Sequence, residues 1–124
     1  MGKAREYYLT NRVARIEWRL DQVQRCMLCE WHEGQVSDHM RWLEVHEIER
    51  RSHAPTRWAH PCNYLLVCNM CHMDMIPLMD HAQQLAVKWR QDPLCFDLDA
   101  WLRLRDPDLK APMRVTAEDV EEHL

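Results

Sequence analysis

Leu9, Val13, Ile16, Leu20, Val23 and Met27 recur at alternating intervals of four and three residues. That is the a/d period of one helix, so the pattern predicts an amphipathic helix running up to Cys26. Arg12, Arg15 and Arg19 gather on another face, with Arg5 and Arg25 near the ends. Two arrangements suit such a helix. It packs on the following domain with its basic face in solvent, or it serves as a coiled-coil or DNA-backbone arm. The period then changes. "RWLEVHEIE" (Arg41–Glu49) is rich in β-prone residues and predicts a strand, and "NYLLVC" (Asn63–Cys68) predicts a second, short and apolar one. The stretch between them is a loop broken by Pro55 and Pro61. Helical spacing returns at Cys71-His72 and again after Pro77, where Leu78, Ala82, Leu85 and Trp89 share a face. Pro93, Pro107 and Pro112 punctuate the remainder, which predicts a short helix over about 97–104 and a last one capped by Thr116 with Asp119.

The predicted architecture is therefore α+β in three parts. Residues 1–25 form a basic amphipathic helix, 26–91 a mixed domain, and 92–124 an acidic, mostly helical tail. A chain of 124 residues holds one small domain with appended arms, and a core of that size benefits from a metal brace. No apolar run is long enough for a membrane span, and the charged start is not a secretion signal. Met1-Gly2 is a poor myristoylation start, because Tyr7 stands near where Ser or Thr is needed. A cytoplasmic protein is expected. The net charge of −4 conceals a gradient, from +3 over residues 1–25 to −5 over 92–124. The basic end is where phosphates would be met.

Four of the six cysteines fall into two C-x-x-C pairs, Cys26/Cys29 and Cys68/Cys71. Each such turn aims two thiolates at one centre, and two turns supply the tetrahedral sulfur set that structural zinc requires. Cys62 and Cys95 have no patterned partner and read as small buried hydrophobes. His32, His39, His46, His53 and His60 recur every seven residues. Pro55, Pro61 and the strand-like run before them rule out one continuous helix, so that period is accidental.

Around this frame, "LEVHEI" followed by "NYLLVCNMCH" resembles the HNH endonuclease signature. The matching residues are Glu44, His46, Ile48, Asn63, Cys68, Cys71 and His72, over about residues 26–75. The resemblance implies a zinc-braced ββα-metal core, a hairpin and a helix around a divalent ion such as Mg²⁺. It implies DNA phosphodiester hydrolysis, with His46 and His72 as ligands of the catalytic ion and Asn63 organising the loop. Compact chains of this type resemble phage-encoded or prokaryotic mobile-element nucleases.

The departure is Glu47, which stands where the family has its general-base histidine. A glutamate near ~4.3 is a weaker base than a histidine near ~6.5. A carboxylate is also a good ligand for Mg²⁺. Glu47 is therefore a base, a third ligand, or the mark of a chain that has lost turnover. His53 and His60 are the alternative bases, though each also reads as an ordinary loop histidine. Arg50, Arg51 and Arg57 follow the strand and are the candidate phosphate-binding residues. Trp58, among them, is a candidate for stacking on a base. Two other readings stay open: a catalytically silent zinc adaptor for nucleic acid or protein, and a structural zinc module that forms a homodimer through Leu9–Met27.

Overall fold

A computed structural model describes residues 3–34, 40–109 and 115–124, with side chains described from residue 11 onward. Met1-Gly2, His39, Pro112 and the side chains of Arg5 and Leu9 lie outside that description. The first helix, α1, spans Lys3–Asp21 and stops short of the predicted end. The reason lies just beyond it. Arg25 bridges to His32, and Cys26 N–H donates to Trp31 O at 2.8 Å, so the cysteine turn is an extended hairpin that no helix can enter. Gln24 Nε2 donates to the Arg19 and Gln22 carbonyls at 2.8 Å each, which satisfies acceptors the helix end leaves open.

Strands β1 (Leu43–Glu47) and β2 (Tyr64–Cys68) form a two-stranded antiparallel sheet with Val45 opposite Leu66. Pairing continues past the strand ends, through Asn69 N–H to Trp42 O and Ile48 N–H to Asn63 O. Every residue of β2 is buried, as its unbroken apolar run requires. On its outer side Leu66 O accepts from Met27 N–H, and Tyr64 O accepts from Lys88 Nζ. Across the sheet, Arg15 Nη2 donates to Val45 O at 2.8 Å and fixes α1 along β1. Helix α2 (Asn69–Asp74) follows β2 directly, capped by the Cys68 sulfur. Helix α3 (His81–Gln91) opens on a capping box of Asp80 and Gln83. Two short helices complete the chain, α4 (Leu98–Leu102) and α5 (Ala117–Glu121), and Thr116 with Asp119 caps α5 as expected.

The architecture is α+β, with one core shared by all parts: Trp18, Met27, β2, Leu85, Trp101 and Val120 belong to a single buried cluster. No helix among the described residues is long and apolar enough to cross a membrane. The two long helices meet at a buried ion pair. Lys88 Nζ lies 2.6 Å from Asp92 Oδ2, 2.7 Å from Tyr64 O and 4.5 Å from the centre of the Trp18 ring. Trp18 Nε1 donates to the same Asp92 oxygen at 3.0 Å. Burial pulls the Lys88 ammonium below its ordinary pKa, against the favourable pull of Asp92. Lys88→Met leaves a buried carboxylate uncompensated. The expected cost is on the order of 3–5 kcal/mol in denaturant unfolding, most of it recovered in Lys88→Met/Asp92→Leu.

Candidate functional site

The four paired cysteines come together. The sulfurs of Cys26, Cys29, Cys68 and Cys71 all lie within 4.8 Å of one another, a group arranged to bind a metal ion. At a Zn–S bond of ~2.3 Å, tetrahedral corners stand ~3.8 Å apart. Cys29 Sγ and Cys68 Sγ are separated by 3.7 Å, so the geometry is consistent with structural zinc. Within each turn the second cysteine's N–H points at the first sulfur, at 3.4 Å in both. Glu30 completes the first turn in the left-handed region at φ 68°, held by its N–H on Cys26 O at a backbone cost of ~1 kcal/mol. Arg41 Nη2 reaches both Cys29 Sγ (3.0 Å) and Cys68 Sγ (3.4 Å) and sets positive charge against the cluster. Burial raises the Cys68 thiol, but the Cys71 N–H and Arg41 outweigh it and bring the pKa down to about 7. Burial pushes the Cys71 thiol up, and the neighbouring sulfurs of Cys29 and Cys68 push it further. Cys62 is buried apart from this group, and burial takes its thiol up to about 12, as suits a small core residue.

The second constellation joins β1, α2 and α3. Alternation along β1 sends Glu44 and His46 to one face and Val45 and Glu47 to the other. His72 comes from α2, one residue past the second cysteine pair. His46 Nδ1 and His72 Nε2 face each other at 3.1 Å. Their outer nitrogens are both held. His46 Nε2 is 2.7 Å from Gln84 Oε1, and His72 Nδ1 is 2.6 Å from Glu44 Oε1. Gln84 spends its amide N–H₂ on Met79 O at 3.0 Å, so its oxygen faces His46 and His46 Nε2 must donate. Glu44, whose other oxygen accepts from Trp42 Nε1 at 3.2 Å, likewise fixes the proton of His72 on Nδ1.

The two inner nitrogens therefore face one another while both outer nitrogens are held. The spacing of the two nitrogens suits a cation held by both. Adjacent nitrogen donors at ~2.1 Å from one ion stand about 3.0–3.4 Å apart, which is the spacing seen. Burial, with the charge of His72 adding, lowers the His46 pKa to about 4 despite the Gln84 bond, so its lone pair is available at neutral pH. A carboxylate behind one histidine and an amide oxygen behind the other is the outer arrangement that orients imidazole ligands. Among the described residues only the cysteines form a group of three or more such donors. The histidine pair would leave the remaining positions of an ion to water or substrate oxygen.

Asn63 is wholly buried and ties down the loop that leads from β1 back to it. Its Oδ1 accepts from Glu49 N–H (2.7 Å) and Trp101 Nε1 (3.1 Å), and its Nδ2 donates to Glu49 O and Trp58 O, each at 3.1 Å. Glu47 lies elsewhere. Both its oxygens accept from one Arg51 fork, at 2.5 and 3.1 Å. The Arg51 guanidinium also lies 4.0 Å over the Trp58 ring. Trp58 is 1% exposed, which corrects the expectation that it stacks on a base: its ring is core, roofed by Arg51. Arg57 donates to Arg103 O at 3.0 Å, and Arg50 is exposed. Of the alternative bases, His53 pairs with the buried Glu49 at 3.3 Å, and His60 Nδ1 accepts from Cys62 N–H and caps a turn. Sequence reasoning missed Gln84, which carries no motif. It also missed the outer role of Glu44, which strand alternation with His46 would have disclosed. No protein-family model, no curated protein and no solved structure matches the chain.

Proposed function

We propose that the chain is a divalent-ion-dependent endonuclease of the HNH type, hydrolysing DNA phosphodiester bonds in the cytoplasm, on a scaffold braced by zinc at the four cysteines. The observation that supports this reading is the pair of facing nitrogens, His46 Nδ1 and His72 Nε2 at 3.1 Å, each imidazole held from behind by an outer hydrogen bond. His46 and His72 hold the ion, which when bound acidifies water and offsets charge at phosphorus. Two imidazoles favour Mn²⁺, Ni²⁺ or Zn²⁺ over Mg²⁺, whose preference is oxygen. Glu44 and Gln84 keep the imidazoles in register. Asn63 sets the loop, and Arg50 and Arg57 meet the phosphates flanking the scissile one.

Glu47 is the slow point of this scheme. As general base it must loosen the Arg51 fork that engages both its oxygens. That same fork favours the second reading, a silent nucleic-acid-binding adaptor on the same scaffold. A plasmid-nicking assay with Mg²⁺, Mn²⁺ and Ni²⁺ separates them. The expected result is slow ion-dependent nicking by the wild type and nicking faster by about 10²-fold in Glu47→His, the lower end of what a placed base contributes. Activity only in Glu47→His establishes the silent adaptor. No cleavage by either protein with any ion removes the nuclease reading.

A further inference from the structure

The apolar stripe of α1 does not pack on the domain. Val13 is 54% exposed, Ile16 53% and Leu20 72%, with Val23 just past the helix at 69%. At 100° per residue the stripe centres on the side of the helix opposite Trp18, the residue that α1 buries. Such a run of large exposed side chains is unusual in a monomer. It leads into a groove of about 430 Å³ between α1 and β1, floored by Val13, Ile16 and Val45 and walled by Arg12 and Arg15.

We infer that a second copy of this chain covers this face, α1 against α1, in parallel. The period places Val13 and Leu20 at a, and Leu9 and Ile16 at d. Arg12 and Arg19 then fall at g and Glu17 at e. In a parallel pair each g residue meets the partner's e residue of the next heptad, so Arg12 meets the partner's Glu17, and by symmetry the pairing occurs twice. An antiparallel pair would instead set g against g and bring the arginines of both copies together. Arg12 and Glu17 are both exposed and available, whereas Arg15 and Arg19 already hold Val45 O and Glu33. A free helix of 19 residues would be marginal as a coiled coil. Here α1 is already ordered by Trp18 and Arg15, so association does not have to order it.

Sedimentation velocity of the full metal-loaded chain, over about a hundredfold range of concentration, tests this. The expected result is a monomer–dimer equilibrium whose dissociation constant rises about tenfold or more in Leu20→Asp. Glu17→Arg raises it several-fold, and Arg12→Glu/Glu17→Arg restores it, because the exchanged charges still meet in parallel. These side chains are exposed, and an unchanged metal content confirms that each variant is folded. A wild-type monomer at every concentration, or a dimer indifferent to Leu20→Asp, overturns the inference. Failure of the double exchange to restore what Glu17→Arg weakens overturns the parallel arrangement.

Discussion

Cys68→Ser is expected to unfold the protein at room temperature. The sulfur lies in the four-cysteine cluster arranged to bind a metal, caps α2 by accepting the Cys71 N–H, and ends the wholly buried strand β2. Structural zinc contributes about 10–16 kcal/mol to a small domain of this kind. Net stability is only ~5–15 kcal/mol, so losing the ion exceeds the margin. Without metal the same four thiols become a liability, since burial of Cys71 disfavours its thiolate and leaves the sulfurs crowded without a shared charge. Far-ultraviolet circular dichroism and zinc stoichiometry measure the effect. A cooperative melt within a few degrees of the wild type, with no bound metal, would show that the cluster is not the brace.

His46→Ala is expected to lower ion-dependent plasmid nicking by about 10³-fold or more, with the fold intact. The imidazole is half of the inward pair, and a single remaining ligand does not hold a divalent ion against water. The supporting residues should have smaller effects. Glu44→Gln and Gln84→Leu each weaken ion binding by about 10–100-fold, the range for groups that orient a ligand without touching the metal. Divalent-ion titrations beside the nicking assay separate the two classes. Activity in His46→Ala within tenfold of wild type would place the chemistry elsewhere.

The elements legible in the sequence were those specified by neighbours close in the chain. The C-x-x-C turns, the β-prone run around His46, the apolar run of β2 and the Thr116 cap all depend on residues within a few positions. The end of α1 was not legible, because Asp21 gives way only where Cys26 pairs across to Trp31, a choice made by the cysteine hairpin. The direction of the apolar stripe was not legible either. A heptad states that one face is apolar, and only the insertion of Trp18 between Tyr64 and Asp92 decides which side faces the domain. At the candidate site, His46 and His72 stood out by their place in the cysteine frame, and the structure brings them together. Gln84 had no such marker: it reaches His46 from α3, 38 residues away, and a glutamine on a helix is ordinary. The engagement of Glu47 by Arg51 lay four residues off, but the strand ends between them, so neither helical nor strand spacing pointed to it.

The hairpin's backbone also limits how the protein can be recognised. Three outward groups of β2 are already committed: Tyr64 O to Lys88, and Leu66 to Met27 through both its carbonyl and its N–H. On β1 the carbonyl of Val45 is held by Arg15. A visiting peptide that adds itself to a sheet needs a free ladder of such groups. At these groups a visiting strand would first have to displace an internal partner, which disfavours strand addition along β2.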